Sequence, residues 1–290
     1  MLTALALLCL NLFEEKRKAP VAPKETETRI RKELKKAEEK KQPPAKIAEV
    51  DRTKDRDSVT APDIKERVRI AILIDDIGQD MAVLHDLLDI DVPLSFAVLP
   101  HQPHSTQAAQ AIHRRHRETL LHLPMEPQSY PKDRPGEGAL FLSMNDEEIR
   151  KQFQKNLASV PHALGVNNHM GSRFSEDEEK MAVVMTEMKN RGLFFVDSRT
   201  TSHSKAKEAA DRTGVPFLAR KIFIDNDQSY KASLQILTDL LREPATINGN
   251  GPVLLIGHPY PSTVAALRDA VPLLEAKGVK IVPVSKIVRH

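Results

Sequence analysis

From Arg67 onward, short apolar runs alternate with longer amphipathic stretches. The runs are Arg69–Ile74, Leu94–Leu99, Thr119–Leu123, Ala163–Val166, Leu193–Val196, a broken one over Phe217–Ile224, Pro252–Ile256 and finally Val279–Val284. Most are rich in Ile, Val and Leu without polar alternation, as strands covered on both faces are. The stretches between them carry helix boundaries. Ser175 with Glu178, and Asn145 with Glu148, have the spacing of capping boxes. Met181, Val184, Met185 and Met188 follow at helical intervals and read as core filler, and Gly192 and Gly278 are stop signals. Repeated strand–helix alternation predicts parallel strands with right-handed crossovers. An irregular or incomplete (β/α) barrel of about seven parallel strands fits best. An open doubly wound sheet is the alternative, weakened because no Gly-x-Gly-x-x-Gly or P-loop pattern occurs.

Composition divides the 290 residues into three parts. Residues 1–13 form an apolar run too short to span a bilayer. It resembles the core of an export signal but lacks a basic leader and an Ala-x-Ala site, and Lys16, Arg17 and Lys18 follow it. It reads as the remnant of a signal or anchor, the only part expected to touch a membrane. Residues 14–66 are dominated by Lys, Glu, Arg, Ala and Pro, which predicts a charged, disordered linker. Residues 67–290 are the barrel domain. The net charge of +3 comes from interleaved acids and bases, without a basic block carrying aromatics, which argues against a nucleic-acid partner. Cys9 is the single cysteine, so no intramolecular disulfide can form.

The chemistry-bearing residues gather at the strand ends. Asp75-Asp76 follow the first run, Pro100-His101 the second, His122 to Glu126 the third, and Asn167 to Arg173 the fourth. Asp197-Ser198-Arg199 follow the fifth, Asp225-Asn226-Asp227 the broken sixth, and Gly257-His258 the seventh. In a barrel these ends ring one mouth, where ligands and metals are held. Carboxylate with imidazole is a donor set suited to zinc or a similar divalent ion. His122, His169 and His258 each follow a strand directly. His113 and His116 read as solvated, and His85, His162 and His203 receive no role.

Asp75-Asp76-Ile77-Gly78, His122 to Pro127, Asn167 to Phe174, Asp197-Ser198-Arg199-Thr200 and Ile256-Gly257-His258-Pro259 together resemble the divergent polysaccharide deacetylase family. The resemblance covers Arg67 to Val288. It implies an irregular (β/α) barrel, a bacterial envelope location facing the periplasm, and kinship to metal-dependent carbohydrate esterases. In the main deacetylase family the first strand ends in a base and then a metal ligand, which Asp75 and Asp76 match. That family then uses His-x-x-x-His; His122 matches the first imidazole, whereas Glu126 stands at the second. The missing ligand is therefore expected from His169 or Glu126. Asp197 resembles the fifth-strand Asp that tunes the site, and His258 the late His that acts as acid.

The expected activity is metal-dependent removal of N- or O-acetyl groups from an envelope carbohydrate or a small acetylated substrate. Asp76, His122 and His169 would hold the metal, with Glu126 a candidate to complete the set. Asp75 would act as base and His258 as acid, and Asp197 would orient one of them. Substrate contacts are expected from His101, Asn167, Asn168, Arg173 and Arg199. The absence of Trp argues against a long stacking platform. Two alternatives use the same residues: a non-catalytic envelope protein that binds glycan or a cell-wall partner on a retained scaffold, and a metal-dependent phosphoesterase.

Overall fold

Ile70 to Ile74 are wholly buried, as an apolar strand must be when helices cover one face and the barrel interior the other. They form the centre of β1 (Arg69–Ile77) in the computed structural model, which describes residues 68–241 and 253–288. The expectations for residues 1–13 and 14–66 fall outside the described residues. The chain continues through α1 (Met81–Leu88), β2 (Ser95–Val98), α2 (Ser105–Arg114), β3 (Glu118–Met125), α3 (Asp146–Ser159), β4 (Ala163–Met170), α4 (Glu178–Lys189), β5 (Phe194–Asp197) and α5 (Ala206–Thr213). Next come β6 (Phe217–Ala219), β7 (Ile222–Phe223), α6 (Tyr230–Asp239), β8 (Val253–Gly257), α7 (Pro261–Ala276) and β9 (Lys280–Ile281).

Every strand pairing is parallel, in the order β6-β5-β4-β3-β2-β1-β8-β7, with β9 added beside the start of β1. This is the incomplete (β/α) barrel. The broken sixth run explains its incompleteness, because its halves are the two edge strands. The Arg220 amide donates to Asp197 O at 2.9 Å on one side, and the next amide, Lys221, donates to Leu254 O at 2.9 Å on the other. Two residues thus carry the chain from one edge of the curled sheet to the other.

Inward positions follow from strand parity. Ala71 and Leu73 of β1, Leu120 of β3, Val196 of β5 and Ile256 of β8 share one interior cluster, joined by Val284 and Ile287 from the C-terminal segment. That segment closes the end of the barrel at which the strands begin. Glu118 binds the Ser285 amide and hydroxyl there, and Ser95 Oγ accepts from Val284 N at 3.1 Å. Inward on β4, Gly165 leaves room for Phe194: a Cβ would lie 2.5 Å from that ring. Gly165→Ala is therefore expected to cost about 1–3 kcal/mol through overpacking, read as a lower midpoint in thermal or denaturant unfolding. An unchanged midpoint would mean the ring moves aside freely.

The helix signals hold with one shift. Asn145 and Glu148 form a reciprocal capping box at 2.8 and 3.0 Å, and Met181, Val184, Met185 and Met188 are fully buried. α4, however, is capped by Asp177, whose carboxylate accepts from Lys180 N. Ser175 lies in a preceding 3-10 turn and is buried, because Phe174 must be inserted into the core before the helix begins.

Candidate metal centre and cleft

In a regular strand adjacent residues face opposite ways, so Asp75 and Asp76 could not both reach the barrel mouth. The register resolves this. Ile74 pairs with Phe96 but Ile77 with Val98, so β1 has one residue more than β2 across this step. Asp76 takes up the extra residue with φ +56°, a left-handed conformation that Asp tolerates better than branched residues. Asp75 keeps the inward parity of Ala71 and Leu73, and the bulge turns Asp76 toward the same mouth.

On β3 and β4, His122 pairs with Asn167 and Pro124 with His169, all inward by the same parity as Leu120. Pro124 is tolerated because β2 pairs with β3 only as far as Leu121. The three donor atoms meet there: Asp76 Oδ1 lies 3.1 Å from His122 Nε2 and 3.0 Å from His169 Nδ1, and the two nitrogens are 3.1 Å apart. Asp75 Oδ2 stands 3.8 Å from His122 Nε2.

This trio fits a divalent metal. Donor atoms this close are near the spacing expected when each lies roughly 2.0–2.2 Å from one ion. Asp76 Oδ1 is buried yet accepts no well-directed hydrogen bond from either ring. Burial opposes its charge, but the two imidazoles outweigh that and hold Asp76 well below the ordinary carboxylate range. Burial also pushes His122 down to about 4, against the pull of Asp76, so its ring is neutral at pH 7 with a lone pair to give. Asp75 is raised well above the ordinary range, first by burial and further by Asp76 and Asp225, despite His258 and Arg220.

His258 follows β8. Its Nδ1–H donates to Asp225 Oδ1 at 2.9 Å and its amide donates to Asp225 Oδ2 at 2.6 Å, an oxygen that also accepts from Thr263 Oγ1 at 2.8 Å. Asp225 is 3% exposed. Burial works against charge on His258, but Asp225, with Asp75 beyond it, raises the ring to about 9. Its flanks are Phe223 and Tyr260, with ring centroids at 5.8 and 5.6 Å. The Arg220 guanidinium lies over the Phe223 ring, 3.8 Å from its centroid. A cleft of about 530 Å³ runs from Asp76 and His169 between Gly78, Gln102, the Arg134–Glu137 segment and Pro259–Pro261.

Several expected roles change. Asp197 does not orient His258; Asp225 does. Asp197 is buried and accepts from Arg199 N and Ser204 Oγ, at 2.7 and 2.8 Å, so it ties down the loop after β5. Glu126 is outside the donor trio, since its carboxylate pairs with Arg173 at 2.8 Å and accepts from Leu142 N at 2.7 Å. Glu126 and Arg173 thereby tie the end of β3 to the turn after β4 and to Leu142. Asn167 and Asn168 are fully buried, and their side chains bind Val196 O, Ser198 and Met170 O, where no sugar reaches. His101 donates to Asn156 Oδ1 at 2.9 Å, and Asn156 holds Gly138 O. Arg199 is exposed and outside the cleft lining. Asp225 and Arg220 were missed. Asp225 does stand directly after an apolar run, and that position was its available signal.

A family described as divergent polysaccharide deacetylase matches residues 72–288. The uncharacterized protein YibQ of Escherichia coli (strain K12) is 35% identical over 203 residues, covering 70% of this chain and 62% of that protein. The chain therefore spans less than two thirds of that relative's length. An uncharacterized protein of Haemophilus influenzae is 32% identical over 204 residues, covering 69% of this chain and 70% of that one. Among solved structures, an uncharacterized protein of Agrobacterium tumefaciens C58 superimposes with a TM-score of 0.71 at 23% identity, covering 77% of this chain and 89% of that one. This last likeness shows the fold.

Proposed function

The chain belongs to the divergent polysaccharide deacetylase family, and on that premise we propose that it is a metal-dependent hydrolase that removes acetyl groups from a short envelope glycan. The observation that carries this reading is the Asp76–His122–His169 donor triangle, with the buried Asp75 carboxylate 3.8 Å from His122 and an Asp225-bound His258 at the end of β8. A divalent ion such as zinc, held by those three side chains, supplies a Lewis acid for the acetyl carbonyl and a water of lowered pKa.

The protein's own groups do the rest. Asp75, made more basic by burial, accepts the proton released by the attacking water. His258 carries the proton for the leaving amine or alkoxide. Its Nδ1–H is taken by Asp225, so Nε2 is the nitrogen left to face substrate. Asp225 fixes that ring twice, through Nδ1–H and through the backbone amide. Substrate size is set by the cleft. Tyr260 is its single Phe/Tyr/Trp lining residue among the described ones, enough to stack one sugar ring but no extended chain. The substrate class carries the location with it: an acetylated wall glycan lies outside the cytoplasmic membrane.

The test is acetate release from N-acetylated glucosamine oligosaccharides and O-acetylated glycans by the zinc-loaded protein. Release that stops on chelation and returns with zinc is expected. Stoichiometric zinc without release from any of these substrates would overturn hydrolysis and favour a glycan-binding role.

A further inference from the structure

Inside the barrel, β4 presents Gly165, Asn167 and His169 in succession toward the axis, so Asn167 lies one layer below the metal-site histidine. Asn167 is wholly buried and its amide orientation is fixed. Nδ2 donates to Ser198 Oγ at 2.6 Å and to Val196 O at 3.3 Å, both on the β5 side. Oδ1 is consequently the branch turned away from β5, and it has no hydrogen-bond partner. His122 is the register partner of Asn167 on the other neighbouring strand, and paired residues of adjacent strands share a face about 5 Å apart. His122 Nδ1 is also buried and without a partner.

A buried acceptor and a buried ring nitrogen, each lacking a partner and held at one level of one face, form an incomplete pair. Leaving both unmet is expensive, because each group has given up its water and gained no partner in return. A histidine that binds metal through one nitrogen needs an acceptor for the hydrogen on the other. Nε2 of His122 faces Asp76 and His169, so Nδ1 is the nitrogen that must carry the hydrogen.

The geometry points to Asn167 as the residue that positions His122, its Oδ1 accepting from His122 Nδ1–H through one buried bridging water and so fixing the tautomer that offers Nε2 to the metal. This inference rests on the metal site proposed above. It also explains a buried amide that sits directly above the apolar interior cluster, with Leu120 one layer below and Val196 its register partner on β5. Asn167 touches neither substrate nor metal, and it acts through His122.

The experiment measures zinc affinity by chelator competition for the wild type, Asn167→Leu and Ser198→Ala, together with proton spectra of the zinc-loaded protein labelled with nitrogen-15 histidine. Asn167→Leu keeps the branched heavy-atom shape and removes the acceptor; its zinc affinity should fall about 10–100-fold. Ser198→Ala removes a partner of the amide nitrogen only, and its zinc affinity should stay at the wild-type level. In the wild type the His122 Nδ1–H proton should be resolved and protected from solvent exchange. Wild-type zinc affinity in Asn167→Leu, or an equal loss in both variants, would overturn the positioning role. So would rapid exchange of that proton in the wild type, a result that does not depend on the variants folding. A wild type that binds no zinc would overturn the metal site itself, and the inference with it.

Discussion

Asp76→Ala is expected to abolish stoichiometric divalent-metal binding and to lower acetate release by on the order of 10³-fold or more, well beyond the roughly 10–100-fold typical of a residue that only supports a ligand. Asp76 is the one anionic member of the donor trio, and the two imidazoles hold its carboxylate ionised far below neutrality. Its loss removes the only carboxylate of the trio, and His122, pushed down to about 4 by burial, cannot repay the charge. The fold should survive, because Asp76 is partly exposed at the mouth and occupies an extra residue of β1. Elemental analysis of the purified variant reads the outcome directly. Glu126→Gln is the control, since its carboxylate is engaged with Arg173 and Leu142 N, away from the trio, and it should retain its metal. Full metal occupancy in Asp76→Ala would remove the basis of the proposed site.

The second large effect belongs to the proton donor. His258→Ala should lower the rate by about 10²–10⁴-fold with metal content unchanged. Asp225→Asn should separate position from charge. Against the opposing effect of burial, Asp225, helped by Asp75 and Asp76, raises His258 above 6.5, to about 9, so the protonated ring is present below that value and is lost as pH rises through it. The wild-type profile should therefore have an alkaline limb near 9, or somewhat lower once a cation offsets Asp76. Without the Asp225 charge the limb moves toward lower pH, so the variant loses most activity at pH 8 and least at pH 6. A limb that stays in place would assign the titration to another group.

The strand ends were readable because burial on both faces forces uninterrupted apolar runs, and their ends must then share one mouth. Asp76, His122, His169 and His258 could be placed on that logic alone. What it could not supply was the direction of polar side chains within the layers. Asn167 and Asn168 look like exposed strand-end amides, yet β4 continues through them to Met170, paired with a β3 that runs on to Met125. Asp197 and Asp225 both follow apolar runs. Only the division of residues 217–224 between the two sheet edges reveals that Asp225 lands beside β8 and His258 while Asp197 stays beside β5. The bulge at Asp76 was equally invisible, since it arises from unequal lengths in two strands rather than from a turn residue.

The handover at Arg220 and Lys221 gives the barrel the mechanics of a split ring. Along the rest of the circumference, strand spacing is held by rows of backbone hydrogen bonds; between β6 and β7 it is held by covalent chain. Arg220 serves as the clasp, with its amide and guanidinium bonded to Asp197, Ser198 and Arg199 on one lip and its charge laid on Phe223 of the other. Compliance is greatest where ladder bonds are fewest. Opening the clasp would spread the mouth between the β5–β6 lip and the lip that carries Asp225 and His258. The donor triangle, mounted on β1, β3 and β4 at the closed part of the arc, would keep its spacing.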